Sequence, residues 1–337
     1  MNRKHFLSSL LTTGVSFKIL AAPPHNPDIS FRIPQQLKPG DVMGITSPAG
    51  YITIEELQPA IEQIQSWGLK VRLGTTIGKR DFSFGGTDQE RAQDFQRMLD
   101  DPSIKAIMCA RGGYGSIRII DQLNFSKFLA RPKWIIGFSD ITVMHCHINS
   151  NYKVATIHSK MCNSFPGDWL NAEPVQKETI VSIKDAITGV KMKYTALPHL
   201  KNRNGIAEGT LTGGNLKTIE TLAGSRSEIK TAGKILFVED TGEYLYSIDR
   251  MFWSLKRTGK LSELKGLIIG GFKIKPDDPG EAFGRTLYDI VWRKVKSYKY
   301  PVCFDFPVGH QRNNYALKCG VLHRLSVTAN GVELLEV

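Results

Sequence analysis

Residues 105–118 read KAIMCARGGYGSIR, an apolar run followed by an arginine, a glycine cluster and a serine. The run 106–110 is short and apolar, which predicts a strand buried on both faces. The glycines that follow allow backbone angles that side chains disfavour, so the chain can turn sharply. Ser116 then begins an apolar helical pattern that runs to Leu123. A serine at a strand–turn–helix junction holds its hydroxyl at the edge of a sheet and is a candidate nucleophile, although the order here is Gly-Tyr-Gly-Ser rather than Gly-x-Ser-x-Gly.

Strand and helix patterns alternate on both sides of this stretch. Two capping boxes, Thr53-x-x-Glu56 and Thr87-x-x-Glu90, predict helix starts. Further strands are predicted at 41–47, 69–73, 133–137, 154–157, 234–238 and 267–269, and further helices at 140–148, 245–255 and 282–295. Strands joined by helical crossovers predict an α/β fold with a doubly wound, mostly parallel sheet. Ligands bind at the carboxyl ends of such strands, where the turn 111–116 lies.

The pattern weakens between Asn163 and Asn204 to one amphipathic helix near 175–187. We therefore predict an N-terminal domain over 31–165, a linker with a helix over 166–204, and a C-terminal domain over 205–337. The last of these ends in a hairpin whose turn is Asn330-Gly331.

Residues 1–24 resemble a signal peptide, with basic residues before a mildly apolar segment and Ala21-Ala22 before two prolines. The leader is also a near-match to a twin-arginine signal. Lys18 interrupts the apolar segment, so a frayed tail on a cytoplasmic protein is the alternative. We expect export to the periplasm and no integral membrane segment in the mature chain.

Composition describes an ordinary globular protein of 337 residues, 41% hydrophobic and 23% charged. The net charge of +12 favours anionic partners, but no nucleic-acid-binding motif is present, so we expect no nucleic acid partner. The five cysteines form no Cys-x-x-Cys pair and their odd number leaves at least one thiol free. A disulfide framework and a structural zinc site are therefore not expected.

A serine nucleophile needs a base and an orienting acid. Of the eight histidines, His310 follows a glycine where an apolar run passes into a polar segment, which would place it at a cleft. Asp240 and Glu243 follow the apolar run 235–238 and are rival acids. Either could orient an imidazole, or simply pair with Arg250 or Arg257 on the next helix.

Seven segments, in order along the chain, resemble the LD-carboxypeptidases, also called muramoyltetrapeptide carboxypeptidases. They are LKPGD (37–41), GTDxERA (86–92), ARGGYGS (110–116), IGFSDIT (136–142), GGNL (213–216), VEDxGE (238–243) and GH (309–310). The chain departs from the family at His158-Ser159, where the family usually has His-Gly, and at Leu317-Lys318-Cys319-Gly320, where it has Leu-Pro-x-Gly. Both departures bear on the rim of the cleft rather than on the triad.

The resemblance implies a doubly wound N-terminal domain, a smaller β-rich C-terminal domain and an active site between them. It implies a Ser-Glu-His triad on Ser116, Glu239 and His310, without metal or cofactor. The implied reaction is hydrolysis of the bond before the terminal D-Ala of a peptidoglycan tetrapeptide, so the implied partner is a muropeptide substrate. A homodimer of the chain is a separate expectation. Some relatives instead cleave peptide–nucleotide antibiotics and confer self-immunity.

If the resemblance holds, the backbone amides of Ile117 and of Gly86 or Gly85 would form the oxyanion hole. Arg111 is a candidate for binding the substrate carboxylate or for a structural salt bridge, and Tyr114 for lining the cleft or packing. Two other functions compete. The glycine turn could cradle a phosphate, or Cys109 could serve as the nucleophile of an amidotransferase-like hydrolase, although it precedes the turn.

Overall fold

Local capping signals start the first two long helices, as predicted. The computed structural model describes residues 30–337, so the predicted leader lies outside the described residues. Thr53 Oγ1 accepts a hydrogen bond from the Glu56 amide at 3.1 Å, and Glu56 Oε2 accepts one from the Thr53 amide at 3.0 Å. The Thr87–Glu90 pair forms the same reciprocal box. Each box satisfies two backbone donors that the helix itself leaves unpaired.

The elements of the described residues follow the predicted alternation. The strands are β1 (Val42–Thr46), β2 (Lys70–Leu73), β3 (Ile104–Cys109), β4 (Trp134–Gly137), β5 (Thr156–His158), β6 (Lys193–Ala196), β7 (Gly205–Asn215), β8 (Lys234–Glu243), β9 (Gly266–Ile274), β10 (Val302–Cys303), β11 (Leu317–Cys319), β12 (Leu322–Thr328) and β13 (Gly331–Glu336). The helices are α1 (Ile54–Ser66), α2 (Asp88–Asp100), α3 (Ser116–Ile119), α4 (Ser126–Ala130), α5 (Thr142–Tyr152), α6 (Pro174–Thr188), α7 (Leu216–Thr221), α8 (Leu245–Arg257) and α9 (Leu287–Val295).

The first sheet has the strand order β11-β5-β4-β3-β1-β2. Its first five strands in the chain are parallel to their neighbours, and β11 joins β5 in the antiparallel sense. Successive side chains of β3 pack on opposite faces: Ile107 lies in one core with Phe95 of α2, and Ala106 lies in the other with Leu57 of α1. Both faces are therefore covered, which confirms the doubly wound, mostly parallel sheet.

The second sheet has the order β10-β9-β8-β7-β12-β13-β6. The strands from β10 to β7 are parallel, whereas β12, β13 and β6 are antiparallel, so this half is mixed and rich in β structure. The predicted hairpin of β12 and β13 is present, but its turn is Ala329-Asn330, one residue earlier than the predicted Asn330-Gly331, because Gly331 pairs with Thr328. Since β11 belongs to the first sheet, the chain returns to the N-terminal half after entering the second, and residues 31–337 form one compact unit. The predicted domain limits stay a prediction.

Three elements differ from the sequence pattern. The helix from Ser116 is only one turn long and passes into a 3-10 turn at Ile120–Gln122. Strand β8 runs on to Glu243 through two register shifts instead of ending at Val238. Helix α9 begins at Leu287, because Thr286 caps it, rather than near 282. In each case tertiary contacts or a local cap overrode the apolar periodicity.

All five cysteines are buried and none is in a disulfide. Burial raises the pKa of the Cys109 thiol well above its usual range, which counts against a cysteine nucleophile at the end of β3. Within residues 30–337, no three His, Cys, Asp or Glu side chains are grouped so that they could hold a metal ion. None of the described helices is both long and apolar enough to span a membrane.

Candidate active site

The glycine turn between β3 and α3 depends on backbone conformations that only glycine adopts readily. Gly113 has φ +98° and Gly115 has φ +142°. A Cβ at Gly115 would also lie 2.7 Å from Nη1 of Arg91. The turn therefore needs glycine both for its angles and for the close approach of Arg91.

Ser116 is the first residue of α3, directly after this turn. Its side chain is fully buried, and its Oγ forms no hydrogen bond with any group of the described residues. The expectation that the hydroxyl is held out at the edge of the sheet is therefore wrong for this conformation. A buried hydroxyl without a partner is costly for the fold, and such atoms are concentrated at functional sites.

Asp140 binds the backbone amide of Ser116, and the sequence analysis did not single it out. Its Oδ2 accepts a hydrogen bond from the Ser116 amide at 2.8 Å. The carboxylate is buried, and burial raises its pKa. Asp140 follows β4, the neighbour of β3, so a carboxylate at the end of the adjacent parallel strand was the signal that could have found it. Because Asp140 takes this amide, the Ser116 amide is not available to a ligand.

Glu239 and His310 are in direct contact. Glu239 Oε2 hydrogen-bonds Nδ1 of His310, and the glutamate side chain is 0% exposed against 15% for the histidine. The other carboxylate oxygen, Oε1, has no partner among the described residues. The pair leaves Nε2 of the imidazole for another group. This is the arrangement in which a carboxylate sets the tautomer and orientation of a histidine.

A glycine makes this contact possible. Gly309 has φ +101°, and a Cβ there would lie 2.3 Å from Cβ of Glu239. The Gly309 amide donates to Oδ1 of Asn314 at 2.8 Å, which fixes the turn that carries His310. The Gly-His order in the sequence thus reflects a close approach between this loop and β8.

The two rival acids make other contacts. Asp240 accepts hydrogen bonds from Asn215 Nδ2 and from the Lys217 amide, both at 2.9 Å, so it holds the start of α7. Burial raises the pKa of Asp240 to about 6. Glu243 accepts a hydrogen bond from Ser247 Oγ at 2.5 Å. Neither acid contacts His310 or pairs with Arg250 or Arg257 in the described part of the chain.

Segment 138–140 connects the serine to the histidine. The ring of Phe138 lies 5.0 Å from the His310 ring, centroid to centroid, while Asp140 binds the Ser116 amide. Ser116 Oγ and His310 are not hydrogen-bonded. Among the described residues, Glu239 binds His310 directly, and segment 138–140 contacts both His310 and the Ser116 amide.

The candidate oxyanion donors lie on two loops that meet at Arg91. The Ile117 amide is in the first turn of α3, where backbone amides have no helical acceptor. The Gly85 amide donates to the Ala49 carbonyl at 3.0 Å, so Gly86 is the better of the two glycine candidates. Arg91 donates from Nε to the Gly86 carbonyl at 3.1 Å and from Nη1 to the Gly115 carbonyl at 3.0 Å.

Arg91 is fully buried and also donates to the Pro48 carbonyl and to Asp88. We expect Arg91→Met to lower the free energy of unfolding by about 3 kcal/mol or more, since it leaves the carbonyls of Pro48, Gly86 and Gly115 without their donor, whereas Asp88 keeps its bonds to Arg118. Urea unfolding measures this. Arg72→Met, at an exposed pair with Asp101, is the control and should change the free energy by about 0.5 kcal/mol or less. Equal midpoints for both variants would contradict this role of Arg91.

Arg111 and Tyr114 lie in the turn, and their side chains contact other residues than His310. Nη1 of Arg111 is 3.5 Å from Oε1 of Glu56 and 3.5 Å from the Tyr51 carbonyl. Of the two alternatives for Arg111, the structure shows the salt bridge. Tyr114 is 55% exposed, and its ring lies 5.9 Å from that of Phe84.

A cleft of about 820 Å³ opens beside the Glu239–His310 pair. Phe138, His310 and Gln311 form part of its wall, together with Lys160 and Lys273 from other elements. Ser116 is not among its lining residues. The cleft gives a ligand access to the imidazole, and its size suits a short peptide or another small molecule.

Comparison with known proteins places these features in a family. Residues 43–159 match the LD-carboxypeptidase N-terminal domain, and residues 208–325 match the LD-carboxypeptidase C-terminal domain. A Bacillus subtilis protein named "Probable murein peptide carboxypeptidase" is 35% identical over 85% of this chain and 89% of its own length. The microcin C7 self-immunity protein of Escherichia coli is 26% identical over 88% of this chain and 94% of its own.

A solved structure has the same architecture. The crystal structure of muramoyltetrapeptide carboxypeptidase from Oxalobacter formigenes aligns with a TM-score of 0.78 at 26% identity, over 88% of this chain and 99% of that one. Both family domains and both sheets are therefore matched along nearly the whole described chain. The protein belongs to the LD-carboxypeptidase family of peptidases.

Proposed function

We propose that this protein is a serine carboxypeptidase that hydrolyses the amide bond between the L-centre of the third residue and the terminal D-Ala of peptidoglycan tetrapeptides. The observation that carries the proposal is the hydrogen bond between the buried Glu239 carboxylate and Nδ1 of His310. His310 lines a cleft, and segment 138–140 contacts both His310 and Ser116. Likeness to proteins named for murein peptides supports the substrate class.

In the proposed mechanism, Nε2 of His310 takes the proton of Ser116 while Oγ attacks the carbonyl carbon. Glu239 holds the tautomer and stabilises the imidazolium that forms. The amides of Ile117 and Gly86 meet the oxyanion. His310 then protonates the leaving D-Ala nitrogen, and water cleaves the resulting ester on Ser116.

The proposal requires Ser116 Oγ to turn toward Nε2 when substrate is bound. Catalytic hydrogen bonds are often absent in ligand-free enzymes and form in the substrate complex. The hydroxyl forms no hydrogen bond of normal geometry among the described residues, although the Asp140 carboxylate lies near enough to interact with it, so its rotation breaks no well-formed hydrogen bond. Metal-independent chemistry follows from this mechanism, because each proton and charge is handled by a named side chain or amide.

The second candidate function is hydrolysis of a peptide–nucleotide conjugate by the same serine chemistry. The similarity to the microcin C7 self-immunity protein favours it, since that relative matches 88% of this chain, although at a lower identity of 26%. A single assay separates the two. Purified protein is given a muropeptide tetrapeptide or an aminoacyl-sulfamoyl nucleoside at equal concentration, and mass spectrometry follows the products.

We expect release of D-Ala from the tetrapeptide with at least about tenfold higher kcat/KM than cleavage of the nucleoside conjugate. The reverse preference would replace the first function with the second. Release from neither substrate would reject both. Export to the periplasm stays a prediction, because residues 1–24 lie outside the described part of the chain.

A further inference from the structure

The cleft beside His310 is basic. Its lining includes Lys160, Lys273 and Arg312, and no Asp or Glu of residues 30–337 lines it. The aromatic side chains of Phe138, Phe165 and Phe272 line the same cleft and make part of its wall apolar. A cleft with cations, aromatic surface and no acids suits a ligand that carries a carboxylate.

The three cations are not equivalent. Arg312 is exposed and bound to Glu173, with Nη1 at 2.6 Å and 2.8 Å from the two carboxylate oxygens. Neither Lys160 nor Lys273 has an ion-pair partner in the described part of the chain. The positive charge that the protein leaves unpaired in this cleft is therefore carried by the two lysines.

Lys160 is held next to the imidazole. Its Nζ donates to the carbonyl of Gln311, the residue after His310, at 2.8 Å. The same Nζ lies 5.7 Å from the centre of the Phe138 ring, which His310 approaches at 5.0 Å. One aromatic ring thus lies beside both the imidazole and the ammonium group.

The electrostatic setting of Lys160 also favours an anion. The side chain is partly buried, and burial together with nearby Lys273 lowers the pKa of its ammonium group. Glu239 acts in the opposite direction but is committed to His310. A bound carboxylate would restore the interaction that this ammonium group loses by leaving water.

We propose that Lys160, assisted by Lys273, binds the free C-terminal carboxylate of the leaving residue. This inference rests on the proposed function. His310 protonates the leaving nitrogen, and in an α-amino acid one carbon atom separates that nitrogen from the carboxylate. The terminal carboxylate of a substrate would therefore lie just beyond the imidazole, where Lys160 supplies a cation. Arg111, the candidate from the sequence, is instead paired with Glu56.

Such a contact selects a chain end. A substrate whose terminal carboxylate is converted to an amide would leave the lysine without its partner. A peptide cut at an internal bond would also lack a carboxylate at this position. Binding by an ammonium group thus makes the enzyme an exopeptidase rather than an endopeptidase. Lys160 directly follows His158-Ser159, where the chain departs from the family pattern.

The test compares two substrates and three proteins. The substrates are a tetrapeptide ending in D-Ala and the same peptide ending in D-alaninamide. The proteins are the wild type, Lys160→Gln and Lys275→Gln. Glutamine at 160 keeps a donor for the Gln311 carbonyl but removes the charge. Lys275 is an exposed lysine next to Tyr244, outside the cleft lining, and serves as the matched control.

We expect Lys160→Gln to lower kcat/KM for the free acid by about 10- to 100-fold, mostly through KM, and to leave cleavage of the amide unchanged. Lys275→Gln should behave as the wild type. An equal loss on both substrates would overturn the proposal, because the lysine would then act on something other than the carboxylate. No loss on the acid would overturn it as well.

A third substrate tests whether Lys160 instead binds the side-chain carboxylate of the third residue. Replacing diaminopimelate by lysine at the third position removes the side-chain carboxylate of the acyl part. If the effect of Lys160→Gln disappears with this substrate, the lysine binds the acyl part and the proposal is wrong. Failure of the proposed function is a separate result, since the wild type would then release no D-Ala from any of these peptides.

Discussion

Replacing Ser116 by alanine removes nearly all D-Ala release and leaves the protein folded. We expect kcat to fall by about 10⁴- to 10⁶-fold, because the acyl-enzyme route needs the hydroxyl and only weak catalysis by the remaining site is left. Since Ser116 Oγ is buried without a hydrogen-bond partner in the described residues, its loss should not lower the free energy of unfolding. Mass spectrometry of the product and urea unfolding measure the two effects.

Ser182→Ala is the matched control. Ser182 is also a buried serine, but its Oγ donates to the Thr179 carbonyl at 2.7 Å and accepts from the Ala316 amide at 3.0 Å. We expect this variant to lose about 1–3 kcal/mol of stability and to keep its activity, the opposite of Ser116→Ala. D-Ala release by Ser116→Ala within tenfold of the wild type would end the serine mechanism.

Glu239→Gln has the second largest expected effect. Glutamine has the size of glutamate but no negative charge, so it neither fixes the tautomer of His310 nor stabilises the imidazolium. We expect kcat to fall by about 10³- to 10⁴-fold with KM changed little. The measurement is steady-state kinetics on the tetrapeptide.

Asp240→Asn is the control for this variant. It neutralises the next carboxylate on β8, which holds Asn215 and the start of α7 instead of His310. We expect a loss of less than about tenfold in kcat. Equal losses in the two variants would show that the charge of β8, and not the contact with His310, governs the rate.

Much of the fold could be predicted because its signals are local. Thr53 and Thr87 cap their helices through residues three positions away, and β3 is apolar because both its faces are covered. The failures have non-local causes. The pattern after Ser116 predicted a longer helix than the single turn of α3. The place of β11 beside β5 is a pairing of distant segments that no local pattern encodes.

The site shows the same division. The residues alone left Asp240 and Glu243 open as acids, and the resemblance named Glu239, which the geometry places on His310. Asp140 follows β4 and was missed because its partner, the Ser116 amide, lies in the loop after β3. Lys160 was missed because the carbonyl that accepts its hydrogen bond belongs to Gln311, more than a hundred residues away. Burial of the Ser116 hydroxyl depends on packing around the turn, which the sequence does not specify.

The central claim is that Ser116 becomes covalently acylated during turnover, and intact-protein mass spectrometry tests it most directly. A tetrapeptide analogue ending in D-lactate supplies an ester, which acylates faster than the amide and so lets the acyl-enzyme accumulate before acid quenching. The account predicts a mass increase equal to the tripeptide acyl group, mapped to Ser116 by peptide sequencing. Release of D-lactate with no mass increase, or with an adduct on another residue, would contradict it.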